Sequence, residues 1–353
     1  MKAGKKVDNA VQNLKAVLLL GVMVNHAWAA SQYIVTPQYP PLAVWSYASN
    51  VLIISGLPVF FFLSGYFSLG GQWGFFSGEY RTLLRKKFYG LLLPYLLWNG
   101  VFIVLFLAAA TYFPRIAQRV ESFELTTVSG VLSSWLGIGR RPIDAPLWFI
   151  RDLLLLFLSM PIWNYLIEKW SGFALAVLLG IGVLVPAVGE WYPNYYAICA
   201  FCLGVFARHK HFDLHKFEKH ALAAVVLLLL LTLIQFLWPM AVGTRKTSPQ
   251  IMCVFSLLVI PCWLGFMRYC HLDVKNYFAR IITPAAFFIY AAHFLVCSTL
   301  LHILAVHIPA SPWQMAVLYG IFLFGGGSIL LATFHLMKRF MPWGLRWFIG
   351  GRI

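Results

Sequence analysis

Residues 13–28 read NLKAVLLLGVMVNHAW, an apolar run of the kind that crosses a bilayer, interrupted at Lys15 and His26. Hydrocarbon penalises ionisable side chains by kilocalories, so the pair is retained for a purpose. At 100° per residue, eleven positions bring the helix about 20° past three full turns. The two side chains therefore share one face, about 16 Å apart along the axis. A polar line of that length suits a long, thin ligand with an anionic head at one membrane face and a reactive tip deep inside. Acyl-coenzyme A has that shape.

Working outward, similar runs recur along the whole chain. Of its 353 residues 61% are hydrophobic and 11% charged, whereas a soluble domain carries about 25% charged residues. The expectation is an all-α, polytopic integral membrane bundle forming a single domain over 1–353, with about ten transmembrane helices. Its spans are drawn at 13–31, 50–68, 88–112, 147–167, 173–189, 195–208, 221–238, 250–268, 284–305 and 314–337. Residues 113–146 become an external loop, with a short helix expected over Val128 to Leu136.

Basic residues orient such a bundle, because short loops retain positive charge on the cytoplasmic side. With the N-terminus inside, only Arg115, Arg119, Arg140, Arg141, Arg245 and Lys246 fall outside, and Arg151 lies within a span. Both termini are then cytoplasmic. The net charge of +16 is dispersed over membrane loops, which fits topology and anionic lipid and argues against a nucleic-acid partner. The start resembles a secretory signal, but His26 breaks the apolar stretch such a signal needs.

The cysteines Cys199, Cys202, Cys253, Cys262, Cys270 and Cys297 lie in or at the ends of predicted spans and suggest no disulfide framework. The tract His209, His211, His215 and His220 lacks ordinary zinc spacing and is mixed with lysines, so no metal is expected. No glycine-rich phosphate loop or G-x-S-x-G elbow is present.

Further motifs carry a resemblance. A basic residue, ten positions and a histidine in the first span, GLPVFFFLSGYF (56–67), LRKKFYGLLLPYLLWN (84–99), PLWFIRDLLL (146–155) and FFIYAAHFLV (287–296) together resemble the membrane acyltransferase type 3 family. That family O-acylates cell-surface polysaccharides and related molecules. The chain departs from it in having lysine where the first-span cation is usually arginine, which replaces a bidentate fork with a point charge. Gly90 also stands where a second arginine often falls.

The resemblance implies an acyl-CoA-dependent O-acyltransferase of the bacterial inner membrane. Acetyl-CoA would be the co-substrate, and a glycan or lipid-linked glycan the acceptor. Coenzyme A is expected on Lys15, Arg81, Arg85, Lys86 and Lys87. His26, with an imidazole suited to proton transfer near neutrality, is the expected general base, with a covalent acyl-histidine as the second route the sequence leaves open. Arg151 and Asp152, adjacent on the fourth span at a similar depth, are expected catalytic partners. Asp152 would orient His26, and Arg151 would steady an oxyanion or hold the acceptor. Tyr290 and His293 share a face and are placed on the pantetheine passage, with Trp148 against the acceptor sugar. A secondary transporter is the competing reading, since buried ionisable groups also mark proton relays.

Overall fold

The computed structural model describes residues 8–32, 55–68, 74–112, 118, 120–184, 194–241, 249–273, 275–305 and 317–352, which are helical with short joints and, among those described, contain no strand. Helix α1 (Asn9–Gln32) opens on Asp8, whose Oδ1 accepts the Val11 N–H at 3.2 Å. This satisfies one of the orphan donors at a helix start. Helix α2 is Leu57–Ser68. Helix α3 (Gly78–Lys87) is capped by Ser77, whose hydroxyl accepts from Tyr80 N. It then passes through a π-turn, Phe88–Leu92, into α4 (Leu93–Ala110). The basic segment before the third span is therefore helical, and the continuous helix begins at Gly78, ten positions before the start drawn from the sequence.

The expected short helix forms as α5 (Val128–Leu136), capped by Thr127 and closed by Gly137 at φ 69°, the left-handed position that glycine occupies without penalty. A 3-10 turn, Ala145–Leu147, leads into α6 (Trp148–Leu158). This helix bends by 60° into α7 (Met160–Leu184). At the bend Ser159 donates to Leu155 O and accepts from Trp163 Nε1 at 2.7 Å, so the break is held by its own hydrogen bonds.

Helices α8 (Tyr195–His209), α9 (Ala221–Ala241), α10 (Pro249–Phe266), α11 (Thr283–Ala305), α12 (Gly327–Phe340) and α13 (Pro342–Phe348) complete the chain. Among the described residues, four helices are long and apolar enough to cross a membrane, or five if the bent pair counts as one span. That is fewer than the ten drawn from the sequence. Helix α2 has 12 residues and α8 has 15, both short of the roughly 20 a straight crossing needs. The outward face of α9 presents Leu222, Val226, Leu229, Leu233 and Leu237, an apolar stripe suited to lipid rather than water.

The core is centred on α2 and α8, which meet through Gly65 and Gly204. A Cβ on Gly65 would collide with the Phe201 carbonyl, and one on Gly204 with that of Phe62. Helix α1 packs along α11, which sets the face bearing Lys15 and His26 against the helix bearing Tyr290 and His293.

Candidate active site

Cations gather at the basic end of α1, where the carboxylate of Asp8 also acts electrostatically on Lys15. Lys15 lies 5.3 Å from the Phe67 ring centroid, Lys87 lies 3.8 Å over Phe157, and Arg352 lies 4.0 Å over Phe287. They are close enough that the charge of Lys15 acts on Lys87 and that of Arg352 on both. Among the described residues, none of the three is within salt-bridge distance of a carboxylate. Aromatic faces supply weak attraction to a cation, but mutually repelling charges left this way favour an incoming anion.

Arg352 is the member that the sequence reading missed. It is delivered by a close backbone approach: Gly350, at φ 65°, packs its backbone on Gly90, and a side chain at Gly350 would collide there. Trp98 Nε1 donates to Phe348 O at 3.1 Å and helps seat this segment. Thus it is the missing side chain of Gly350 that lets this segment, with its arginine, rest on the backbone at Gly90, where a Cβ on Gly90 itself would meet nothing.

Arg85 and Lys87 line a cavity of about 420 Å³ together with Leu84, Phe88, Leu92, Leu154, Phe157 and Leu158. Its apolar wall and cationic rim suit an amphipathic ligand. Arg81 and Lys86 are exposed on α3 and do not line it.

Three turns along α1, His26 meets His293 with ring centroids 5.1 Å apart and Phe294 at 5.9 Å. The two histidines expected to act at separate points thus form one cluster. His26 makes no hydrogen bond among the described residues. His293 donates from Nδ1 to the Tyr290 carbonyl, which fixes the tautomer and leaves Nε2 as an acceptor. That Nε2 is buried with no partner among the described residues. Tyr290 in turn donates from its hydroxyl to Pro146 O at 2.6 Å, tying α11 to the turn that begins α6.

Asp152 does not reach His26. Its Oδ1 accepts from Arg151 Nε and Nη2 at 3.1 and 3.0 Å, and its Oδ2 from the Asn194 backbone and side-chain amides, each at 2.9 Å. Arg151 Nη1 donates to Gly137 O at 2.9 Å and Arg140 O at 3.2 Å. Side chains of adjacent residues leave the helix about 100° apart, but the long guanidinium folds back across that angle. The pair ties α6 to the segment after α5 and to the start of α8. Trp148, half-buried, stands edge-on to Phe149 at 6.4 Å.

Asp144 is the carboxylate left uncommitted. It is fully buried, and neither oxygen has a hydrogen-bond partner among the described residues, although Asn99 Oδ1 accepts its backbone N–H at 3.0 Å. Its charge acts on Tyr290 and Tyr95. Nearby, exposed Arg141 acts electrostatically on His26 and Tyr196. Burying a carboxylate without partners is costly, which makes Asp144 a candidate site residue that the sequence reading passed over inside a loop.

The acyltransferase-domain family of type 3 matches residues 8–346, nearly the whole chain and every residue of both clusters except Arg352. The chain belongs to that family. It is also 24% identical over 209 residues to the succinoglycan biosynthesis protein ExoH of Rhizobium meliloti (strain 1021), a match covering 59% of this chain and 52% of ExoH. The chain thus aligns with about half the length of that relative. No solved structure matches it significantly.

Proposed function

We propose that this family member is an integral-membrane O-acyltransferase that moves an acyl group, acetyl in the simplest case, from cytosolic acyl-CoA to a hydroxyl of a cell-envelope or exported polysaccharide or its lipid-linked precursor. The observation that carries the proposal is that one helix, α1, joins a cation cluster at Lys15 to a histidine pair in which half-buried His26 meets buried His293. The acceptor class is supported by the kinship with a succinoglycan biosynthesis protein. Both termini are assigned to the cytoplasmic side of the bacterial inner membrane, on the distribution of basic residues.

Coenzyme A phosphates bind Lys15, Lys87 and Arg352, whose repulsion they relieve. Arg85 extends the site along the cavity rim. The pantetheine arm runs along α1 and brings the thioester carbonyl to His26. Neutral His26 accepts the proton of the acceptor hydroxyl as its oxygen attacks that carbonyl. The C–S bond then breaks, and the departing thiolate takes the proton from the imidazolium, leaving an ester and free coenzyme A. His293 positions His26, and Arg141 favours the developing oxyanion. Arg151 and Asp152 hold the outer segment that carries Arg141 and Asp144.

The test is acyl transfer from radiolabelled acetyl-CoA to glycan acceptor by purified protein in detergent. Label transfer dependent on the protein is expected. Solute uptake into reconstituted vesicles without acyl transfer would support the transporter reading and overturn this one.

A further inference from the structure

A second constellation lies beside the basic end of α1, where three chain segments meet. His215 and Glu218 occupy the 3-10 turn Leu214–His220. In this geometry residues three apart eclipse one another, so the two side chains stand together and His215 Nδ1 meets Glu218 Oε1. His271, far along the chain, follows the 3-10 turn Met267–Cys270 and brings Nε2 to 3.0 and 2.9 Å from the two Glu218 oxygens. Ligand atoms from His215, Glu218 and His271 all lie within 4.8 Å of one another.

Asp8 supplies a fourth, independent feature. Its Oδ2 accepts from His215 Nε2 at 2.7 Å while its Oδ1 caps α1. A carboxylate fixed on the far nitrogen of an imidazole orients the ring and raises the basicity of the near nitrogen, the usual outer support of a metal-binding histidine. The near nitrogen, Nδ1, is the one that faces Glu218 and His271.

We propose that His215, Glu218 and His271 bind a divalent transition-metal ion, with zinc as the fitting member of that class, and that Asp8 supports the site through His215. Two imidazoles and one carboxylate form a donor set that zinc accepts with water in the fourth position. Tetrahedral ligation at about 2.0–2.1 Å sets ligand atoms about 3.3 Å apart. The present separations, up to 4.8 Å, reach that value by changes of up to about 1.5 Å, which the half-buried Glu218 and exposed His271 side chains can make. The bound ion would join the start of α1 to the turns before α9 and after α10, clamping the end of the bundle near Lys15. The histidine tract by itself reads as holding no metal, because only His215 of that tract takes part and His271 lies 53 residues beyond Glu218.

The experiment is titration of the full-length, chelator-stripped protein in detergent with Zn²⁺ by calorimetry, together with Co²⁺ absorption spectroscopy. One equivalent is expected to bind, with visible Co²⁺ bands of a nitrogen- and oxygen-ligated site. The double variant His215→Ala, His271→Ala should lose that equivalent, and Glu218→Gln should bind at least tenfold more weakly. Asp8→Asn should weaken binding tenfold to a hundredfold. His220→Ala, in the same tract but outside the cluster, should bind like the parent. Absence of stoichiometric binding by the parent, or equal binding by a monodisperse Glu218→Gln variant, would overturn the proposal.

Discussion

Lys15 and His26 stand on one helix face and meet different surroundings, cations and phenylalanine rings at one level and His293 at the other. That separation predicts separable phenotypes. His26→Ala should lower kcat by about 10²–10⁴ with little change in acyl-CoA affinity, and single-turnover kinetics would show this. Lys15→Ala or Arg352→Ala should instead raise KM for acyl-CoA about tenfold, equivalent to about 1.4 kcal/mol, while kcat is largely retained. An unchanged KM in both would remove the cation cluster from coenzyme A binding.

The two buried carboxylates are expected to divide in the same way. Asp144→Asn should reduce turnover without lowering thermal stability, because no intramolecular hydrogen bond to its oxygens is lost among the described residues. Asp152→Asn should lower the melting temperature, because it removes the charge that partners Arg151 in a buried bond, a change that costs about 3–5 kcal/mol when one ion is left uncompensated. Equal effects on melting would contradict the distinction.

The contact between α2 and α8 leaves no room for a methyl group at Gly65 or Gly204. Small residues allow such backbone approach between membrane helices. Gly65→Ala is therefore expected to destabilise the protein by about 1–3 kcal/mol or more, because the obstacle is backbone rather than a yielding side chain. A scanning melt in detergent would register the loss. Gly90→Ala should be milder in stability, since nothing lies close to its own Cβ direction.

Several helices were legible from composition and punctuation, others only in part. The helix at Val128–Leu136 follows from Thr127 as cap and Gly137 as stop. The face shared by Lys15 and His26 follows from helical periodicity alone. The 60° bend after Leu158 was marked by Pro161, whose ring removes the N–H that would continue the ladder to Phe157, yet the sequence reading drew the span 147–167 straight through it. Ser159 completes the break with its own hydrogen bonds. Asp144 escaped notice because loop residues have no periodicity to assign them a side. Arg352 escaped because its position depends on a glycine contact with a distant helix.

Across the molecule, the packing of α1 on α11 and of α13 on α4 converts scattered charges into two separated clusters with an apolar stretch between them. Length and composition announced a membrane helical protein, and the ordered motifs announced the family. Neither could specify how remote segments close the basic end, since those contacts join residues hundreds of positions apart, as Trp98 does with Phe348.

The most direct measurement compares the parent with His26→Ala in a transfer assay using labelled acetyl-CoA and glycan acceptor, with acyl-CoA binding measured on the same preparations. The account predicts that the variant binds acyl-CoA like the parent and transfers no label above background. Transfer at the parental rate by the variant would contradict it.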